Sequence, residues 1–385
     1  MSKQKITNAM IEAVNSSVLS GALPAVDGSA LTGLGGGVDT KSASDPATDT
    51  NPSAVGHVWL NTTSGEMFVC TDATTDENVW VNIGGGSGDV QPIHQGQGTI
   101  EGFISGGFSG SNTDTIDKFS FTSDGNGSDV GNLTSTNREP SGQSSSTHSY
   151  TSGGNGNNNT IQKVNFSSGS NASNVGTLSQ GRQGPVGQES PTHGYVSAGY
   201  ISSPSWQTTI DKFSFSTEGS ATNIGDMTVA RHDMGGQTSE THGYVAGGYN
   251  GSRINVIDRF PFESDTNASD VGDLIVAKSG NPGQNSMTHG YCSGGTSTIA
   301  SGMVNVIEKW LFASSANSTD VGDLAETKGN SSGNSSGTHG YQVCGQLQNG
   351  TKVSSIDKFT FASDANGTDV GDMTFAREGC TGSQH

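Results

Sequence analysis

Five histidines stand at one recurring position, His148, His193, His242, His289 and His339, each preceded by Thr and followed two residues later by Tyr. Imidazoles could ligate a metal or move a proton, but none of the five has a second His close by in sequence, and only two have a Cys within five residues, Cys292 after His289 and Cys344 after His339. Zinc held at ~2.1 Å needs several such ligands converging on one point. The pattern therefore predicts a structural role, with each His hydrogen-bonded to neighbouring backbone at a turn. Three loops, DGNGSD at 124–129, DTNASD at 265–270 and DANGTD at 364–369, begin like a calcium loop. They lack the downstream bidentate Glu that helps supply the six to eight oxygens of a calcium site. Related segments such as SNASN at 170–174 break the pattern, and Asx turns account for the residues equally well. An acid-base dipeptide recurs at Asp211-Lys212, Asp258-Arg259, Glu308-Lys309 and Asp357-Lys358, too regularly for a site. It predicts bridges between repeated units, because unpaired charges inside a sheet interface are costly. Cys70, Cys292, Cys344 and Cys380 are far apart with no CxxC spacing, so neither a zinc ribbon nor a dense disulfide framework is read from them. There is no HExxH helix and no unrepeated carboxylate pair. The residues predict no enzyme, no metal and no cofactor.

The elements that must carry these residues follow from composition and repetition. Among 385 residues 58 are Gly, only 14% are charged, and the formal net charge is −19. This excludes coiled coils and helical bundles and falls in the compositional zone of disorder unless a repeat architecture rescues the fold. No apolar run approaches the ~18 residues of a membrane span, and AMIEAVNSSVLS is too polar for a secretory core. The acidity is spread along the chain and no basic stripe exists, which disfavours nucleic acid.

A unit recurs six times, marked by IDKFSF at 116–121, IQKVNF at 161–166, IDKFSF at 210–215, IDRFPF at 257–262, IEKWLF at 307–312 and IDKFTF at 356–361. The intervals are 45, 49, 47, 50 and 49 residues. The His-containing segment lies upstream of each marker, degenerate in the first unit as IEGFISGG at 100–107. A DVGDL-like segment lies downstream, followed by a basic residue at Arg138, Arg182, Arg231, Lys278, Lys328 and Arg377. With a weaker Gly/Gln/Ser stretch such as GGQTSE at 235–240, each unit predicts four short strands, the content of one propeller blade.

These segments, ARHDMGGQTSE, HGYVAGG, VIDRFPF and DVGDL, resemble the kelch family of β-propellers over six units, although the Trp usual in the fourth strand is replaced by Val-Gly-Asp-Leu. The resemblance implies an all-β, six-bladed ring over residues 93–385. The C-terminal segment would complete the first blade, with Gln91–Gly98 as the competing closure. Kelch-like rings include a copper oxidase, but its two Tyr, two His and one Cys have no convergent counterpart here.

Residues 1–92 lack the period. Ile6–Leu19 reads as a short helix with Ile6, Met10, Ile11 and Val14 on one stripe. LPAVDGSALTGL follows at 23–34, then a polar linker. Residues 51–83 carry GHVWLNTTSGEMFVCTDAT and VWVNIG, with strand alternation that predicts a small β-meander. A Gly-rich joint spans 84–92. LPAVDGSALTGL and the GHVWLNTTSGEMFVC module resemble N-terminal parts of tail fibres and other virion proteins of bacteriophages, particularly those of cyanobacteria and other marine bacteria. The resemblance implies a protein made in the host cytoplasm and built into the virion. Residues 1–50 would anchor it to other virion proteins, with Ile6, Met10, Ile11, Val14, Leu23, Leu31 and Leu34 as attachment residues. Such fibres are commonly trimeric, though no heptad seam demands it here.

What varies between units is the loop after the second strand, and in a propeller all six loops share one face. Tyr200, Trp206, Tyr249 and Arg253 are the candidate receptor contacts, since aromatics and Arg make strong anchors. The same variation would arise if nothing constrained these loops. The expectation is a tail fibre whose propeller binds a host-surface glycan or protein. A decorative virion protein without receptor binding, or an enzyme acting on surface sugars, stands as an alternative.

Overall fold

The computed structural model describes residues 37–83, 96–202, 205–298 and 302–385, and the described residues are strands, turns and loops with no helix. The expected helix, the attachment residues Ile6, Met10, Ile11, Val14, Leu23, Leu31 and Leu34, and the 84–92 joint lie outside the described residues. The chain divides into two compact units between residues 92 and 93.

In the smaller unit, Val58–Asn61, Met67–Asp72 and Val79–Asn82 form the expected meander around buried Phe68, Cys70 and Trp80. The expected boundary at residue 51 needs correction, because Thr40–Ser42 adds a fourth strand parallel to Val58–Asn61. Polar side chains hold it there. Asp39 accepts the Val58 N–H at 2.7 Å, Trp59 Nε1 donates to the Ser44 carbonyl at 2.9 Å, and Asn78 Nδ2 donates to the Thr48 carbonyl at 2.6 Å. A Gly/Ser/Asp/Thr stretch with no apolar alternation thus enters the sheet through hydrogen bonds rather than burial.

The larger unit is built on six successive antiparallel sheets of four strands each, the sixth with a short extra strand, Lys328–Gly329, and two small sheets stand beside them, one of two strands and one of three. Sheet three runs Val186–Glu189, His193–Ser197, Thr209–Ser214, Thr222–Asp226, and the other sheets repeat this order. In each the IDKF-type segment is the third strand, the His-Gly-Tyr segment the second, and the Gly/Gln/Ser stretch the first. Sheet one is completed from a distance: Thr381–Gln384 pairs with Glu101–Ser105, joining Thr113–Ser120 and Ser128–Asn137. Among its described residues, 96–98, the competing segment contributes an isolated bridge between Gly98 and Ser336.

Neighbouring sheets meet backbone to backbone. A Cβ on Gly187 of sheet three would collide with the carbonyl oxygen of Gly142 in sheet two, and one on Gly142 with that of Gly382 in sheet one. The same holds for Gly382 against Gly333, Gly333 against Gly283, Gly283 against Gly236, and Gly236 against Gly187, so the series returns to its start. Farther out, each fourth-strand glycine, such as Gly272 against the Ala316 carbonyl, lies under a loop of the next sheet. Between these glycine contacts sit aromatic stacks. Tyr150 lies on Phe215, Tyr195 on Phe262, Tyr244 on Phe312, Tyr291 on Phe361 and Tyr341 on Phe121, with centroids 4.6–4.9 Å apart. The Gly of each His-Gly-Tyr segment leaves room for the ring of its cross-strand partner, as Gly194 does for Phe213. In sheet two the pair is Ser149 opposite Val164, a larger residue matched by a smaller one.

The acid of the recurring dipeptide is buried on a cation from the segment that leads into its own sheet. Arg182–Asp211, Arg231–Asp258, Lys278–Glu308, Lys328–Asp357 and Arg377–Asp117 pair at 3.0–3.2 Å, with every side chain 0–1% exposed. Burial lowers the pKa values of Arg182 and Arg231 and raises those of Asp258 and Asp357, each partner opposing the effect. The second residue of the dipeptide reaches outward to the next sheet's loop: Lys212 to Asp265 at 3.0 Å, Lys309 to Asp364 at 2.5 Å and Lys358 to Asp124 at 2.5 Å. These are the leading Asp residues of the calcium-like loops. Arg138, the basic residue that the repeat places with these five, is not a sixth member of the series. Thr134 donates to Gln162 as Ser179 does to Asp211, so Asn137 occupies the Arg position and Gln162 the Asp position. One interface has exchanged both charges for amides.

Two predictions follow from this packing. Asp211→Asn leaves Arg182 buried without its counter-charge and should cost about 3–5 kcal/mol, whereas Arg182→Asn combined with Asp211→Gln, the natural pairing of sheet two, should cost clearly less; urea unfolding of the parent and the two variants measures this. Gly187→Ala should destabilise by about 1–3 kcal/mol or more through overpacking. Gly337→Ala, where nothing lies within 4 Å, should leave the thermal midpoint unchanged.

Candidate binding face

Where each linker enters the next sheet, six residues take the left-handed backbone conformation: Glu139, Gly184, Asp233, Gly280, Asn330 and Gly379, with φ between 52° and 63°. Each N–H donates to the carbonyl of the residue one sheet earlier. Glu139 donates to Gly379, Gly184 to Glu139, Asp233 to Gly184, Gly280 to Asp233, Asn330 to Gly280 and Gly379 to Asn330, at 2.7–3.1 Å. Glycine alternates with a polar residue because every second side chain lies over the glycine beside it. A Cβ on Gly184 would meet Asp233 Oδ1, one on Gly280 would collide with Asn330 Oδ1, and one on Gly379 would crowd Glu139 Cγ. A polar L-residue in this conformation costs roughly 1–2 kcal/mol that glycine avoids. Three such residues therefore line a mouth of about 140 Å³ that leads down past the glycines of the first strands.

The variable loops gather around this mouth. Bridges join Tyr200 to Gln183, Tyr249 to His232 and Phe108 to Glu378. Tyr200 also pairs across a short hairpin with Trp206, and Tyr249 with Arg253. Trp206 reaches sheet four, its ring 3.4 Å from the position of a Cβ on Gly251. All four expected contact residues thus share one half-buried region, and Arg253 Nε is buried without a hydrogen-bond partner.

Residues that the sequence did not single out complete the surface. His232 lies between the two tyrosines, its ring centroid 4.6 Å from that of Tyr200 and 5.7 Å from that of Tyr249. Its Nδ1 is 3.0 Å from Asp233 Oδ2. Burial works against a charged ring, but the Asp233 hydrogen bond and the Asp233 and Glu139 carboxylates outweigh it and raise the His232 pKa. Burial, then the Asp233 charge, raises Glu139, whose carboxylate accepts from Gln183 Nε2. A second depression of about 250 Å³ is lined by Phe108, Arg138, Glu139, Asn330, Gln346 and Glu378. There Arg138 and Lys352 lie 5.3 and 4.9 Å from the Phe108 centroid. The mouth acids were readable as the second residue after each buried base, but only with Asn137 rather than Arg138 in register with Arg182.

The five repeated histidines lie elsewhere. Each half-buried ring shares a hydrogen bond of 2.7–2.8 Å through Nδ1 with the Thr before it, and each backbone N–H donates to a Ser hydroxyl three residues earlier. Burial, helped by the neighbouring Lys or Arg, lowers all five pKa values. The turn role expected of them is kept, with the Thr hydroxyl rather than backbone as the ring's partner.

Below the mouth, the first strands enclose a polar chamber of about 50 Å³. At its wall each backbone N–H uses the next sheet's side-chain oxygen: Gln384 donates to Ser144, Glu189 to Thr238, Thr238 to Asn285 and Asn285 to Ser335. The Ser144 N–H donates likewise to the Glu189 carboxylate, but burial dominates and pushes that group up to about 8. No family model matches the chain, and no curated protein matches it.

A carboxyl group whose pKa is raised in the folded state stabilises fully below its unfolded value of 4.5, and that contribution is lost as the pH climbs toward 8. Glu189→Gln keeps the acceptor and removes the titration. Its stability relative to the parent should therefore be about 3 kcal/mol greater at pH 7 than at pH 4.5, which thermal unfolding across that range would measure.

Proposed function

We propose that this chain is a bacteriophage virion appendage, a tail fibre in which the six sheets form a kelch-like six-bladed propeller that binds a host-surface glycan. The N-terminal region attaches it to the particle. The ring reading is supported by two series that each return to their starting sheet, the glycine contacts and the left-handed hydrogen bonds, and by the pairing of Thr381–Gln384 with Glu101–Ser105.

The observation that carries the binding role is the gathering of unrepeated side chains on one face. Tyr200, Trp206, Tyr249 and Arg253 come from two different sheets, and His232, Glu139 and Asp233 stand beside them. Aromatic faces suit the C–H faces of sugar rings, while carboxylates, an imidazole and a guanidinium can bond hydroxyls. The depressions are shallow, so a single copy binds weakly and many copies on one particle supply avidity. The reading requires no catalytic step.

The test is binding of the full chain, coupled in many copies to beads, to a panel of bacteria and their purified surface polysaccharides. A companion carries Trp206→Ala, Tyr249→Ala and Arg253→Ala. Retention should fall at least about tenfold in the triple variant, as expected for central aromatic and Arg anchors. Absence of binding by the folded, multivalent parent would point instead to a decorative virion protein, and release of sugar fragments to an enzyme.

A further inference from the structure

Two of the four cysteines meet where sheet six adjoins sheet one. Cys344 lies on the second strand of sheet six, His339–Leu347, and Cys380 immediately precedes Thr381–Gln384, the strand that completes sheet one. Both are buried in one cluster with Ile104, Tyr341 and Val343. The repeat gives an independent measure of how closely these two positions face each other. At the equivalent pair between sheets four and five, a Cβ on Gly247 would lie 2.9 Å from Asn281 Oδ1, and between sheets two and three one on Gly153 would lie 3.4 Å from Pro185 Cγ. A disulfide places each Cβ about 3 Å from the partner sulfur. Cys70 lies in the other unit, and Cys292 Sγ accepts from Gln237 and Asn281, so neither competes for this pairing.

We propose that Cys344 and Cys380 form an oxidisable dithiol whose disulfide covalently fastens sheet six to sheet one. Cys380 is the group positioned to react first, because it lines the axial mouth while Cys344 stands behind it. The hydrogen bond from the Cys344 thiol, aided by the Arg377 guanidinium, lowers the Cys380 pKa, whereas Cys344 is raised. With hydrogen peroxide as oxidant, the Cys380 thiolate attacks one peroxide oxygen, the O–O bond breaks, and hydroxide leaves to take up a proton as water. Cys344 then attacks the resulting sulfenic sulfur, the S–S bond forms, and a second water departs with the Cys344 proton. Two thiols lose two electrons and two protons, and one peroxide becomes two waters.

The full chain, reduced and then treated with a small excess of hydrogen peroxide, should lose the mass of two hydrogens. Its non-reducing digest should join the peptide of Cys344 to that of Cys380, and its thermal midpoint should rise by roughly 5 °C over the reduced form. Cys344→Gly installs the residue found at this position in four of the other units, Gly106, Gly153, Gly247 and Gly294, and so preserves the fold. In it the cross-link and the midpoint gain should vanish, and Cys380 should gain oxygen instead. Retention of four thiols by the parent under these conditions would overturn the proposal. So would oxygen addition without a cross-link, or a cross-link through Cys70 or Cys292.

Discussion

Neighbouring sheets in this protein touch through their backbones, and most of the other features accommodate that contact. Where Gly187 presses on Gly142 there is no room for a side chain, so the contacts between first strands cannot supply hydrophobic burial. Burial is displaced outward, into the Tyr and Phe stacks, and polar satisfaction is displaced into buried ion pairs and side-chain-to-backbone bonds. A chain with 58 glycines and 30% hydrophobic residues looks unfoldable only if each segment is imagined as needing its own core. Here each aromatic residue serves two sheets at once, which is how a repeat extracts a packed interior from a sparse composition.

Sheet two shows how tightly the contacts are coupled. It departs from the pattern at two places, and at both the partner departs with it: Ser149 with Val164, and Gln162 with Asn137. A lone change at either place would leave a clash or an uncompensated charge in a region without solvent. Paired exchange avoids both, in line with the near-neutral effect of replacing a buried ion pair as a whole.

The third strands, the His-containing turns and the acid-base dipeptides were legible because each recurs in chemically similar form six, five or four times. What the sequence concealed lay where a physical role is shared by unlike residues. Asn137 serves where five other units use a long cation, and the adjacent Arg138 imitates the missing base in sequence while standing on the surface beside Phe108. That slip of one residue hid the mouth acids, since Glu139 then falls out of register with Asp233 and Asn330. The four loop residues Tyr200, Trp206, Tyr249 and Arg253 were found because they interrupt a repeat. His232 was missed because it sits in a linker that looked regular. Thr40–Ser42 escaped notice for another reason: a strand held by polar side-chain bonds has no apolar alternation to betray it.

Completion of sheet one by Thr381–Gln384 also sets a timetable. As the chain emerges from the ribosome, Glu101–Ser105 and its two partners appear early, with the edge of their second strand bare and every later sheet leaning on an unfinished neighbour. Such an edge is an invitation to pair with another nascent chain. Completion of sheet one therefore waits on a strand made long after its partners, and crowding during synthesis, rather than the equilibrium stability of the finished molecule, becomes the point at which assembly is most easily misdirected.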